Sequence, residues 1–236
     1  MVNKSDFHGI PYINKKRKSP HGFLVGYIYK IFQKHSVLPD DVVIRDMRKG
    51  ANLLDMGCGD GDFCFKNDFN FDKIIGIDVS DFRIRNAIKK SLKLNHKKYI
   101  FQTGDMDSKL PFRSGYFDTI VMIAAFQYCF DPYFTLRELN RVLKKGGVMY
   151  IQVTNLAWIV YRIQLLFGKQ LFTSLAHFQT WDGGILHYFT FKSLSDLINK
   201  CGFKVTYKSC SGLFRNIKLI YPSLLASDII IKAIKK

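Results

Sequence analysis

The residues with the most chemical content sit together. Leu53-Leu54-Asp55-Met56-Gly57-Cys58-Gly59-Asp60-Gly61 is an apolar run ending in an acid, followed by three alternate glycines. Glycine in such a loop lets the backbone turn tightly and approach a ligand with no Cβ in the way. A nicotinamide-type fingerprint reads G-x-G-x-x-G, whereas here the third glycine comes one residue early and Asp62 stands in its place. Asp55 narrows the ligand further. A carboxylate beside the loop repels a pyrophosphate and suits a ligand carrying a cationic sulfonium and an ammonium group. Asp60 and Asp62 read as solvated or capping residues rather than ligands.

Other stretches carry candidate chemistry. Asp78 closes a second apolar run, Ile74-Ile75-Gly76-Ile77, where an acid can accept two sugar hydroxyls or cap the helix ahead. Gly104-Asp105-Met106 follows a third run, with a turn-stabilising role as the alternative for Asp105. Gln127 and Tyr128 follow a fourth, Asn155 a fifth, and His187 lies in Leu186-His187-Tyr188-Phe189-Thr190. His187 is the candidate polar contact or base, because imidazole titrates near neutrality, and its alternative is an anchor for the next helix. Asn155 reads more readily as a helix N-cap than as a substrate contact. Tyr12 is a candidate lid residue. No metal is expected, since His, Cys and acids do not cluster at ligand spacing and neither H-E-x-x-H nor C-x-x-C occurs.

Periodicity supplies the elements that must hold these residues. Short apolar runs at 52–56, 73–77, 99–102, 119–123 and 148–153 read as strands. Helical patterns at 83–94 and 132–143 are interleaved with them. A further helix at 193–201 and strands at 204–208 and 228–233 continue the series. Alternating strands and helices predict an α/β, Rossmann-like, doubly wound fold with a seven-stranded, mostly parallel sheet. Residues 1–50 form an N-terminal helical lid or arm in this reading, with helices expected from Ser19-Pro20 onward and at 40–47; residues 51–236 form the core. Segment 155–190 breaks the alternation and contains Trp158, Tyr161, Phe167, Phe172, Phe178, Trp181 and Tyr188, so it is expected to be the insert that determines acceptor specificity.

In this order the motifs resemble class I S-adenosylmethionine-dependent methyltransferases, on the type 11, MetW-like small-molecule branch. The resemblance is strongest over 50–155, where Phe117-Asp118-Thr119-Ile120-Val121 opens the fourth strand and Leu143-Lys144-Lys145-Gly146-Gly147 precedes the fifth. It implies S-adenosylmethionine as cofactor, with Gly57, Gly59 and Gly61 around its methionine part and Asp55 near its cationic groups. Asp78 would accept the ribose hydroxyls, and Asp105 and the Met106 backbone would face the adenine. It implies methyl transfer to a small molecule, sugar or lipid-linked acceptor, at oxygen first with nitrogen or carbon also open, and the places of His187, Gln127 and Tyr128 in the chain make them the catalytic candidates. Such a donor is already activated, so positioning contributes about 7 to 11 kcal/mol and a base, if used, roughly 10² to 10⁴ in rate.

Composition bounds the alternatives. A chain of 236 residues with 47% hydrophobic residues, 21 Phe and 12 Tyr is globular rather than disordered. The longest apolar stretch, 156–167, contains Arg162 and falls short of the roughly 20 residues of a membrane span. Neither a transmembrane segment nor a signal peptide is expected. Five cysteines with no C-x-x-C fit a reducing, cytoplasmic setting. The net charge of +17 gathers at the ends: residues 1–50 carry 10 basic and 4 acidic groups, and 201–236 carry 7 and 1. That excess admits nucleic acid, an anionic membrane surface or a phosphorylated substrate as partner, or else reflects codon bias, since only one acid is Glu. An RNA methyltransferase is therefore the second reading, disfavoured because no exocyclic-amine or pyrimidine-carbon motif appears. A non-catalytic scaffold is the third, at odds with the intact loop and acids.

Overall fold

The computed structural model describes residues 36–67, 70–94, 97–171 and 185–236. Tyr12, the Lys15–Lys18 run, the helix expected from Ser19, and Phe172, Phe178 and Trp181 lie outside the described residues. In chain order the elements are α1 (Pro39–Asp46), β1 (Gly50–Met56), α2 (Asp62–Lys66), β2 (Phe71–Asp78), α3 (Asp81–Lys93), β3 (Tyr99–Thr103) and β4 (Phe117–Ile123). There follow α4 (Pro132–Val142), β5 (Leu143–Thr154), α5 (Ile159–Leu166), α6 (Phe191–Lys200), β6 (Phe203–Ser209), α7 (Arg215–Lys218), α8 (Pro222–Leu225) and β7 (Asp228–Lys235).

The strands form a seven-stranded sheet in the order β3-β2-β1-β4-β5-β7-β6. Strands β1 to β5 pair in parallel, and β7 runs antiparallel between β5 and β6. The expected doubly wound sheet is thus present. From β1 the chain winds outward to β2 and β3, then returns to place β4 on the other side, which opens a crevice beyond the carboxyl ends of β1 and β4.

Local chemistry explains the helix starts. Ser80 caps α3 by accepting from the Arg83 N–H at 3.4 Å, and Asp131 caps α4 by accepting from Tyr133 and Phe134 at 2.9 and 3.0 Å. Thr190 and Ser193 form a capping box, so α6 begins at Phe191, earlier than periodicity suggests. Its buried Phe191, Leu194, Ser195 and Ile198 follow helical spacing. The helix after Asn155 begins only at Ile159 and runs to Leu166, with Trp158 rather than Asn155 at its N-cap, because Asn155 accepts from the Ala157 N–H at 3.1 Å and folds an Asx turn first.

Both sheet faces are covered. On one, Leu54, Met56, Ile120, Met122 and Ile151 pack under α4 and α6; on the other, Leu53, Ile74, Val121 and Tyr150 pack under α1 and α3. One register row on the second face runs Asp55, Val121, Tyr150, Lys232, Tyr207 from β1 to β6. Helix α1 lies on this face, burying Val42 and Val43. Its Asp46 accepts from the Tyr150 hydroxyl at 2.8 Å and pairs with Lys232 at 2.7 Å. Burial, then the Asp46 bond, pushes the Tyr150 phenol well above its usual range. On the first face the single glutamate, Glu138, receives Arg141 at 2.6 and 2.8 Å and the Leu110 N–H at 2.7 Å. The Arg141 bonds hold its carboxyl below the ordinary value and pin the 105–116 connection to α4.

Candidate active site

The glycine loop leaves β1 at the crevice. The Gly57 and Cys58 N–H groups both donate to the Ile77 carbonyl, at 2.7 and 3.0 Å, which folds the loop over the end of β2. Gly57 sits at φ +84°, and a Cβ there would lie 2.4 Å from the Ala125 Cβ, so β4's end and the loop meet only if residue 57 is glycine. Ala125 is placed by Ala124, which holds φ +53° and donates its N–H to both the backbone and side-chain oxygens of Gln152, at 3.0 and 2.9 Å. A non-glycine residue in this region costs of order 1 to 3 kcal/mol, and such strain gathers at functional sites.

Asp55 lies at β1's end, 3% exposed, with the Cys64 thiol donating to its Oδ2 at 3.3 Å. Burial pushes its carboxyl up to about 7, the Cys64 bond opposes this, and Asp40 and Asp78 reinforce it. Burial also drives the neighbouring Cys58 and Cys64 thiols well above their ordinary value, so neither is a nucleophile here. A buried acid that among the described residues is met by a thiol and by no cation fits a cationic group delivered by a ligand.

Asp78 accepts from the Gly59 N–H through Oδ2 and from the Ser80 N–H through Oδ1, each at 2.9 Å. Ser80, rather than Asp78, is the helix cap. Asp78 is half-buried, and each oxygen keeps a further lone pair for a hydroxyl donor. Asp105 accepts from the Asp107 N–H at 3.1 Å, the turn-stabilising role weighed above, and the Met106 carbonyl accepts from the Thr135 hydroxyl at 3.3 Å. Asp107 in turn accepts from Phe130 and Asp131 at 2.8 and 3.2 Å, tying this loop to the start of α4.

On the other side of the crevice a single 3₁₀ turn, Phe126–Tyr128, follows β4. Gln127 is 5% exposed; its Oε1 accepts from the Thr154 N–H at 3.2 Å, and its carbonyl accepts from Leu186 and His187 at 3.0 and 3.2 Å. Gln127 therefore brings the end of β5 and the return of the insert together. Tyr128 is half-buried in the same turn. His187 is half-buried, with Nε2 3.3 Å from the Phe130 carbonyl. Asn155 is fully buried; its amide donates to Ser223 and Ala226 carbonyls at 3.3 and 2.8 Å, which makes it a tie to the segment before β7. Sequence reading missed Ala124, Gln152 and Asp107, because a residue type does not announce a left-handed φ or a long-range acceptor.

The strand order, the acid-tipped first strand and the glycine loop at the switch point define a class I S-adenosylmethionine-dependent methyltransferase, and the loop and its acids suit that cofactor. Residues 47–182 match the family described as a methyltransferase domain, and the chain belongs to that family. The demethylmenaquinone methyltransferase of Lactococcus lactis is 30% identical over 69% of this chain and 70% of its own length. The Staphylococcus aureus enzyme of the same name is 29% identical over 63% of this chain and 60% of its own. In fold, a SAM-dependent methyltransferase from Methanosarcina mazei aligns with TM-score 0.61 and 24% identity over 84% of this chain and 98% of its own. One from Aquifex aeolicus aligns with TM-score 0.62 and 16% identity over 89% and 98%.

Replacing Asp78 tests the ribose assignment directly. Asp78→Ala is expected to weaken S-adenosylhomocysteine binding by about 1.5 to 3 kcal/mol, the loss of charge-assisted bonds to hydroxyls with the Gly59 N–H left unmet. Titration calorimetry reads this, and unchanged affinity assigns Asp78 to loop closure alone.

Proposed function

We propose that the chain methylates a small acceptor with an apolar or lipid-linked body, at a hydroxyl oxygen. The observation that carries the apolar body is α5, which has no buried residue although it follows the carboxyl end of β5 at the acceptor side. Ile163, Leu165, Leu166 and Phe167 are exposed there, and Trp158 meets Tyr161 edge-on at 5.1 Å. Apolar surface in this place favours an apolar ligand. The relatives' names support the apolar body alone, through demethylmenaquinone. Segment 155–190 supplies the acceptor side in this reading, and the five free thiols agree with a cytoplasmic setting. No helix among the described residues is long and apolar enough to cross a membrane.

When bound, S-adenosylmethionine supplies a methyl group already activated on a sulfonium. Asp55, Gly57, Gly59 and Gly61 hold its amino-acid end, Asp78 its ribose, and Asp105 with Met106 its adenine. His187 takes the hydroxyl proton. A carbonyl only accepts, so the contact to Phe130 puts the proton on Nε2 and leaves the Nδ1 lone pair as base. Gln127 positions His187 through its carbonyl, and Tyr128 lies at the mouth. The +17 charge supports the second reading, RNA as acceptor. Incubation with methyl-labelled S-adenosylmethionine and, in parallel, a short-tailed demethylmenaquinone reduced to its quinol, hydroxylated aromatics, a sugar nucleotide and bulk RNA decides between them. Label is expected in an apolar hydroxylated acceptor; label in RNA alone overturns the proposal.

A further inference from the structure

Toward the β6 edge of the sheet, α1 and the 210–217 loop line an open cavity of about 670 Å³. That volume is within the range of small-molecule sites, roughly 300 to 1,000 Å³. The main chain closes one side: the Gly212 N–H donates to the Val37 carbonyl at 2.7 Å, and the two residues form an isolated antiparallel bridge. None of the lining residues belongs to the glycine loop, to Asp78 or to the Asp105–Met106 turn.

The lining is divided by chemistry. Val37, Val42 and Ile217 supply an apolar part, and Arg45 and Arg215 are its cations. The Arg215 guanidinium is fixed: Nε donates to the Cys210 carbonyl at 3.0 Å, and Nη2 to the Ser209 and Tyr207 hydroxyls at 2.6 and 3.0 Å. Those bonds use Nε and Nη2 and leave Nη1 for a ligand. Arg45 is exposed on the last turn of α1. Among the described residues neither arginine has a carboxylate partner; the acid on the lining, Asp46, is already paired with Lys232 and bonded by Tyr150. Two arginines facing one cavity with no acid of their own match a phosphate, whose oxygens suit a guanidinium fork. The smaller apolar part of the lining, Val37, Val42 and Ile217 with Phe214, offers a place for an apolar group carried by that phosphate.

We propose that this cavity binds a phosphate monoester of an apolar chain, at a site whose lining is distinct from that of the cofactor crevice. The probes are dihexanoyl phosphatidic acid below its micelle concentration, dihexanoyl phosphatidylcholine with the same tails and no net charge, and inorganic phosphate, each titrated into the full-length protein by calorimetry. Phosphatidic acid is expected to saturate at one site and to bind at least tenfold more tightly than either other probe. Arg45→Glu should weaken it tenfold or more and Ile217→Ser several-fold, with circular dichroism unchanged. Lys93→Glu, the same charge change on the exposed face of α3, should leave it within twofold, as should saturating S-adenosylhomocysteine. Absence of saturation, equal losses in Arg45→Glu and Lys93→Glu, or competition with S-adenosylhomocysteine overturns the site. Equal affinity for inorganic phosphate overturns the apolar half and assigns the pocket to free phosphate.

Discussion

The melting temperature of the ligand-free protein is expected to fall, relative to that of Asp55→Asn, as the pH is raised from about 4 to about 7. Asp55 is buried at the end of β1, and its carboxyl is pushed up from 3.8 to about 7 in the folded chain. Between those values the unfolded chain has ionised this group while the folded chain still holds its proton, so the folded state binds more protons and stability drops as pH rises. The full difference, 7 minus 3.8, corresponds to roughly 4 kcal/mol at 1.36 kcal/mol per unit. Glu138 and Asp118 act in the opposite sense, since their carboxyls are lowered and their contribution is lost only as pH falls through the folded value. Comparison with Asp55→Asn cancels them. A cationic ligand reverses the cost by favouring the ionised form. S-adenosylmethionine affinity should therefore rise with pH up to about 7, by at most tenfold per unit, and lose that slope in Asp55→Asn. Thermal melts from pH 4 to 8 and calorimetry at pH 6 and 8 read the two effects. Identical slopes in both proteins remove Asp55 from the cationic end of the cofactor.

Turnover by His187→Ala is expected to fall about 10²-fold or more, with S-adenosylhomocysteine affinity within twofold of wild type, because a base acts on the acceptor and not on the cofactor. His187→Gln separates this from a structural role. Its amide still donates to the Phe130 carbonyl, as Nε2 does at 3.3 Å, but it accepts no proton at neutral pH. Under the base assignment His187→Gln recovers the melting temperature and not kcat, and the acid-side limb of the pH–rate profile disappears. Recovery of kcat by glutamine makes His187 the anchor for the segment before α6.

Much of this architecture was legible from periodicity, because burial on both sheet faces writes itself as apolar runs. Leu53 to Met56 and Ile74 to Ile77 are such runs, and the fully buried strands stand where they predict. Ends were less legible. Strand β5 extends back to Leu143, since Leu143 pairs with Phe117 across a register shift, and nothing local to Lys144-Lys145-Gly146-Gly147 encodes that partner. In the site, the glycine spacing and terminal acids mark the cofactor half because close approach and charge depend on residue type. Gln127 looked like a catalytic candidate from its place after β4. Its bonds to Thr154, Leu186 and His187 reach across 27 residues and more, and such partners have no signature in the local chain.

Asn155 has a consequence for how this protein can be varied. Its side chain satisfies the carbonyls of Ser223 and Ala226, its neighbour Leu156 donates to the Phe189 carbonyl at 2.9 Å, and Asn155 and Phe189 form a parallel bridge. The chain thus departs at Asn155–Leu156 and is held again at 186–189, where the Leu186 and His187 N–H groups donate to the Gln127 carbonyl. Lengthening a loop between fixed ends costs only about 0.6 kcal/mol per doubling. The stretch between these ends is therefore an exchangeable cassette: a different sequence spliced between Leu156 and Ile185 would meet the same cofactor half and the same His187, and new acceptors could be acquired by replacing a single continuous segment of the gene.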